Sequence, residues 1–159
     1  MASGDERAAA LTELDGENLR VAVVRARWNY EIVKRLAAGV TRGLGELGVK
    51  DVEEHSVPGC FEIPLAAKVI AESRTADAIV CIGAVVRGET THYEIVSESC
   101  AAGVQQVQLE TGVPVAFGVL SVESEAQALA RSQGPGEHNV GYDAAVVAVE
   151  MARLVQRWD

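Results

Sequence analysis

The sequence contains few aromatic residues, prolines and cysteines, and it has no long apolar run. Phe, Trp and Tyr make up 4% of its 159 residues, and there are four prolines and three cysteines. The longest apolar stretch, 78–86, is too short to span a bilayer. Residues 1–18 carry charge from Asp5 onward and contain no apolar core of an export signal. We therefore expect a soluble, cytoplasmic protein with no membrane partner.

The few cysteines also argue against two kinds of architecture. Cys60, Cys81 and Cys100 are an odd number, with spacings of 21 and 19 residues. This pattern fits neither a disulfide framework nor a paired metal knuckle. We expect a reducing compartment and no metal site.

Basic residues are scarce and scattered. The net charge is −9, from 23 acidic and 14 basic residues, and the basic residues form no run or stripe. Such a surface repels nucleic acid, so no nucleic-acid partner is expected. Any bound anion must be held locally.

The apolar period alternates along the chain between that of a strand and that of a helix, which predicts the fold class. Asp77–Val86 is an almost unbroken β-branched run, typical of a central strand covered on both faces. We predict one three-layer α/β/α domain over residues 18–159, with a central four-stranded parallel sheet, and a flexible segment over residues 1–17. The predicted strands are 19–26, 49–57, 77–86 and 113–120, and the predicted helices are 32–47, 63–71, 91–109, 123–131 and 143–158.

Parallel sheets bind ligands at the carboxyl ends of their strands, so the residues after each strand are the candidate site. Trp28 follows the first strand and could stack on a planar ligand or pack against the next helix. After the second strand, Pro58-Gly59 forces a turn and a helix opens near Glu62. Glu62 could bind a ligand or only favour the helix dipole. Cys60 has no activating neighbour in sequence, which favours a small packing role.

The third strand leads into Gly-Ala-Val-Val-Arg-Gly-Glu-Thr-Thr-His-Tyr-Glu, residues 83–94. Gly88 lets the chain turn, and Thr90 could cap the next helix, whose unpaired N–H groups form an anion site. His92 would lie in the first turn of that helix, and histidine exchanges protons near neutral pH. A lone histidine is often a surface residue, but the place of His92 after the most buried strand favours a functional role.

Two further candidate residues lie in the fourth strand and in the short helix after it. Phe117 lies within an apolar strand, where core packing is the simpler interpretation. Arg131 ends a short helix, where it could satisfy the dipole or could hold a phosphate against Thr90.

Taken in order, these segments resemble the lumazine synthases of riboflavin biosynthesis. The resemblance covers about residues 19–155 and is most specific at 83–93. It rests on five blocks: 27–29 (Arg-Trp-Asn), 57–64 (Val-Pro-Gly-Cys-Phe-Glu-Ile-Pro), 83–93, 114–120 (Pro-Val-Ala-Phe-Gly-Val-Leu) and 125–128 (Glu-Ala-Gln-Ala) with Arg131.

The resemblance implies a flavodoxin-like fold and a transferase. That enzyme condenses 5-amino-6-(D-ribitylamino)uracil with 3,4-dihydroxy-2-butanone 4-phosphate to 6,7-dimethyl-8-ribityllumazine, releasing inorganic phosphate and water. It implies that His92 moves protons, and that no cofactor is needed. The implied substrate-binding residues are Trp28 under the pyrimidine, Cys60, Phe61 and Glu62 at the ribityl chain, Ala84, Val85 and Val86 at the ring edge, Glu89, Thr90 and Arg131 at the phosphate, and Phe117 from a neighbouring subunit.

The family's sites lie between subunits of a homopentamer, which is the assembly implied here. The chain departs from the family in having Trp28 where Phe is commoner, which suggests that riboflavin also binds there. It has Val140 where many members have a lysine near the phosphate, so Arg131 alone, or with His138, would supply the charge.

Two other classes share part of this pattern. A flavodoxin-like flavin-binding module would need Trp28 but not His92 beside an anion site. A non-catalytic shell protein of the same fold could dispense with His92, Arg131 and Glu62.

Overall fold

The structure is a computed structural model, and it describes residues 13–159. Its strands are β1 (Arg20–Ala26), β2 (Asp51–Val57), β3 (Ala78–Val86) and β4 (Val115–Val122). Its helices are α1 (Tyr30–Glu46), α2 (Ile63–Ser73), α3 (His92–Thr111), α4 (Glu125–Ala130) and α5 (Val140–Trp158), and a 3₁₀ turn, Cys60–Glu62, precedes α2. Strands and helices alternate, as predicted from the change of apolar period.

All four strands pair in parallel in the order β2-β1-β3-β4. This order is that of a doubly wound, flavodoxin-like sheet, and the direction of winding reverses between β1 and β3. The predicted fold class is therefore confirmed. β3 is buried along nearly its whole length, whereas β2 is an edge strand with mostly exposed polar side chains.

Each face of the sheet has its own apolar cluster. α1 and α5 cover one face, where Val21, Val80 and Leu36 are among the buried residues. α2 and α3 cover the other face, where Val24, Ile79 and Ile63 are buried. Helices on both faces bury the central strands, which explains why β3 has no polar alternation. Among the described residues, no helix combines the length and the apolar character needed to cross a membrane.

The amino-terminal part of the chain is described from residue 13 onward. Of the segment 1–17 that was predicted to be flexible, residues 1–12 lie outside the described residues. The guanidinium of Arg153 on α5 donates hydrogen bonds of 2.7 Å to the backbone carbonyls of both Asp15 and Glu17.

Helix α5 begins three residues earlier than the predicted start at Asp143, because Asn139 caps it. The Asn139 side-chain oxygen accepts a hydrogen bond from the Tyr142 N–H at 3.0 Å. Its amide nitrogen donates to the carbonyls of Arg35 at 3.1 Å and Gln133 at 2.9 Å. Asn139 is only 2% exposed, so this one buried side chain ties α1 to the loop before α5.

The hydrogen bond between Asn139 and α1 depends on a glycine in that helix. A Cβ at Gly39 would overlap the side chain of Asn139, and a Cβ at Gly141 would overlap the carbonyl of Leu36. Glycine at these two positions therefore lets α1 and the start of α5 approach closely, where any larger residue would force the helices apart.

Gly39→Ala should destabilise the fold by about 1–3 kcal/mol, because the added methyl group displaces Asn139 and its hydrogen bonds. The thermal unfolding midpoint measures this loss. Gly45→Ala, in the same helix with nothing within 4 Å of the added Cβ, is the matched control. It should be neutral or stabilising by up to about 1 kcal/mol, since alanine favours a helix over glycine. Equal destabilisation by both changes would contradict the packing role of Gly39.

Candidate functional site

A cavity of about 470 Å³ opens at the carboxyl ends of β1 and β3, where the sheet reverses its winding. This is where ligands bind in open α/β sheets. Eight of the twelve residues predicted from sequence line it, namely Trp28, Cys60, Phe61, Glu62, Ala84, Val85, Val86 and His92. Three lining residues were not predicted: Asn29, Ile95 and Val96.

Trp28 forms an exposed aromatic wall of this cavity. Its side chain is 63% exposed, and its ring lies so close to Gly59 that a Cβ there would overlap the ring. The Trp28 N–H donates to the carbonyl of Pro58 at 3.1 Å. The ring is thus supported by the turn after β2 and leaves its remaining surface open for stacking with a planar ligand.

Asn29 links the segment after β1 to the neighbouring central strand, β3. Its backbone is left-handed, with φ 62° and ψ 45°, a conformation that asparagine tolerates better than most residues. Its side-chain amide donates a hydrogen bond of 2.8 Å to the carbonyl of Ala84 on β3. The place of Asn29 after Trp28 was the signal that could have identified it, but no pattern in the sequence indicates that its amide reaches β3.

The 3₁₀ turn forms a second wall. The Glu62 N–H donates to the Gly59 carbonyl at 3.2 Å, and Glu62 and the exposed ring of Phe61 line the cavity. Cys60 is buried, and its sulfur lies against Gly83, where a Cβ would be 2.5 Å from it. Burial raises the pKa of the Cys60 thiol to about 11. Because the thiolate is the nucleophilic form, this pKa favours a packing role for Cys60 over a nucleophilic one.

The strand β3 and helix α3 complete the cavity. Ala84 and Val85 are almost fully buried, and Val86 follows them at the end of the strand. Helix α3 begins at His92, which lines the cavity together with Ile95 and Val96. An imidazole at this position can exchange protons with a ligand lying against β3.

The turn between β3 and α3 is exposed. Thr91, not Thr90, is the residue immediately before α3, but the Thr90 hydroxyl accepts a weak hydrogen bond of 3.4 Å from the His92 N–H. Glu89 and Thr90 lie in this turn, beside His92 and outside the cavity lining. The turn leads into a helix N-terminus, which favours an anion.

Phe117 and Arg131 lie apart from this cavity. Phe117 is on the edge strand β4, is 40% exposed and pairs in register with Cys81, away from the carboxyl end of β3. The Arg131 guanidinium donates to the Gln127 carbonyl at 2.9 Å, as expected for a residue that satisfies a helix end. His138 lies outside the cavity as well, with its Nε2 3.6 Å from a carboxylate oxygen of Asp143.

The cavity therefore offers an aromatic wall, an amide, a carboxylate and an imidazole beside an anion-favouring turn. These groups suit a planar ligand that carries polar substituents. Among residues 13–159, no group of His, Cys, Asp or Glu is arranged to hold a metal ion.

Comparison with known proteins agrees with the family suggested by the five sequence blocks. Residues 18–156 match the family model described as 6,7-dimethyl-8-ribityllumazine synthase. The protein of that name from Leptothrix cholodnii is 45% identical over 158 residues, which cover 98% of each chain. The one from Bordetella petrii is 46% identical over 145 residues, which cover 90% of this chain and 80% of that protein. The chain therefore belongs to the 6,7-dimethyl-8-ribityllumazine synthase family.

Proposed function

We propose that this chain condenses 5-amino-6-(D-ribitylamino)uracil with 3,4-dihydroxy-2-butanone 4-phosphate. The products are 6,7-dimethyl-8-ribityllumazine, inorganic phosphate and water, in the penultimate step of riboflavin biosynthesis. The observation that carries the proposal is family membership along 18–156, combined with one cavity that holds Trp28, Glu62 and His92.

The pyrimidine would stack on the open face of Trp28, with its edge against Ala84, Val85 and Val86. The ribityl chain would lie along the 3₁₀ turn, where the backbone around Cys60 and Phe61 and the carboxylate of Glu62 can accept or donate hydrogen bonds. Planar stacking and polar contacts at one end would fix the orientation of the reacting amine.

The phosphate of the second substrate would lie at the exposed turn before α3. Thr90 would donate from its hydroxyl or backbone, and Glu89 only from its backbone, because its carboxylate repels an anion. Arg131 would add a cation, reaching the site from a neighbouring subunit, since its own guanidinium lies outside the cavity of its chain.

The steps of this reaction require proton transfers, and neither the nucleophile nor the leaving group needs strong activation. The amine attacks the ketone carbon, water leaves to give a Schiff base, phosphate is eliminated, and the second amine closes the ring with loss of water. His92 would carry protons to and from these atoms. The amine is already a nucleophile and phosphate already a leaving group, so orientation in the cavity should supply much of the rate.

The direct test mixes the two substrates and follows lumazine absorbance. We expect activity in the wild-type protein, a kcat lower by about 10² for His92→Ala and a KM for the phosphate substrate raised at least about tenfold for Arg131→Ala. His55→Ala, on the exposed edge strand, is the control and should match wild type. An inactive wild-type protein would contradict the function. An active one with an unaffected His92→Ala would contradict only the role of His92.

We further propose that the site is completed between subunits of a homopentamer. Three apolar side chains along the 3₁₀ turn and α2, Phe61, Leu65 and Val69, are each more than half exposed. Phe117 is exposed on β4 at the opposite edge of the sheet from β2. A neighbour that covers the first surface with its own β4 would bring Phe117 and Arg131 toward the open side of the cavity.

Mixed assemblies test this arrangement. Co-production of His92→Ala and Phe117→Ala chains should restore activity that each variant lacks alone, because some sites then combine both wild-type residues. Mixing His92→Ala with Trp28→Ala is the control, since both residues line the cavity of one chain and no site can be whole. Recovery no greater than in this control would contradict the shared site. Native mass should be a multiple of five 16.8 kDa chains.

Trp28 leads to one more expectation, that riboflavin also stacks in this cavity. An indole offers a larger stacking surface than a phenyl ring, and an isoalloxazine is planar. Micromolar wild-type protein should quench flavin fluorescence, and Trp28→Phe should quench it less. Fluorescence that stays unquenched with wild-type protein would contradict flavin binding.

A further inference from the structure

Arg87 lies at the centre of a cluster of charged side chains beside the turn between β3 and α3. Its Nη2 is 3.1 Å from Glu94 Oε1, and its Nη1 is 3.5 Å from Glu123 Oε1. Its guanidinium carbon lies over the Tyr93 ring, 5.6 Å from the ring centroid. Its backbone N–H donates to the Val122 carbonyl at 2.8 Å. One side chain thus joins the end of β3, the first turn of α3 and the segment after β4.

The turn itself, residues 88–91, makes few hydrogen bonds and few close contacts. Gly88 meets nothing within 4 Å where a Cβ would be, and among residues 13–159 the one side-chain hydrogen bond of Thr90 is the 3.4 Å bond from the His92 N–H. The ion pair between Arg87 and Glu94 spans the turn from the residue before it to the first turn of the helix after it. It therefore links the end of β3 to the first turn of α3, the turn in which His92 lies.

The positive charge of Arg87 also compensates the negative charges of nearby glutamates. Between residues 87 and 94 the sequence has Glu89 and Glu94, and Arg87 is the one basic residue apart from His92. Oε2 of Glu94 is buried and has no hydrogen-bond partner among the described residues. Without Arg87, the carboxylate of Glu94, whose side chain is 38% exposed, would lose its ion pair and leave a negative charge in the first turn of α3, next to the anion-favouring turn.

We propose that Arg87 is a positioning residue for the phosphate-bearing substrate. It acts through Glu94 and the turn at 88–91, which it holds in an anion-binding shape while neutralising the nearby carboxylates. The proposal rests on the function proposed above. Arg87 does not line the cavity, and about half of its side chain is exposed, so it neither contacts the pyrimidine subsite nor fills the core.

The planar fork of arginine suits this task. Two of its nitrogens reach carboxylates on different segments while its flat face lies over an aromatic ring. A lysine would keep the positive charge but could not reach both carboxylates with fixed geometry. Charge and geometry can therefore be separated by substitution.

The test compares steady-state kinetics of four variants with wild type. Arg87→Ala should raise the KM for the butanone phosphate on the order of tenfold or more, with the KM for the pyrimidine unchanged within about twofold. Arg87→Lys should give a smaller rise, because it keeps the charge. Arg87→Ala combined with Glu94→Gln should recover part of the loss, since the stranded carboxylate is gone. Arg42→Ala is the matched control, because Arg42 also lies over a tyrosine ring, that of Tyr142 at 5.5 Å, away from the cavity.

A thermal unfolding measurement on each variant checks that it is folded. If Arg87→Ala does not assemble, Arg87→Gln is used in its place. An equal rise in both KM values, or a double variant no better than Arg87→Ala, would overturn the proposal. So would kinetics of Arg87→Ala that match Arg42→Ala. An inactive wild-type protein would instead contradict the proposed function, so the two failures are distinguishable.

Discussion

The hydrogen bond from the Asn29 side chain to the Ala84 carbonyl is the constraint on which the cavity depends. It joins the carboxyl ends of β1 and β3 at the point where the sheet reverses its winding, 55 residues apart in sequence. β1 ends at Ala26, and the left-handed backbone of Asn29 caps the start of α1 three residues later. Trp28 therefore lies outside both elements, where it forms a wall of the cavity. A residue that preferred an ordinary helical or extended backbone would move the indole and release the end of β3 together.

The remaining walls are shaped by missing side chains. Gly59 leaves room for the Trp28 ring, and Gly83 leaves room for the Cys60 sulfur, so two flat surfaces approach each other across the end of the sheet. The same device brings α1 and α5 together at Gly39 and Gly141, on the face of the sheet away from α2 and α3. The cavity walls thus rest on close contacts that only glycine permits at these positions, whereas the exposed turn at 88–91, beside the cavity, has few bonds of its own.

The sheet could be predicted from the sequence because burial on both faces leaves long β-branched runs such as 78–86. Trp28, Glu62 and His92 could be predicted to meet, since each follows a parallel strand and such ends share one edge of a sheet. The start of α5 could not be predicted, because the cap at Asn139 depends on its hydrogen-bond partners on α1 and in the loop. These partners leave no periodic pattern of apolar residues in the sequence. Asn29 was missed because its amide reaches another strand. Phe117 and Arg131 lie apart from the cavity of their own chain, and the pattern of a single chain carries no information on contacts between chains.

The burial of Cys60 has a consequence for oxidation. Peroxides react with thiolates, and a thiol with a pKa of about 11 is ionised at neutral pH to only about one part in 10⁴. Burial raises the pKa of Cys100 and of Cys81 as well. The cysteine in the wall of the cavity is therefore poorly ionised and less open to oxidation than an exposed thiol. Its sulfur fits tightly against Gly83, so the burial that raises the pKa also shapes the cavity.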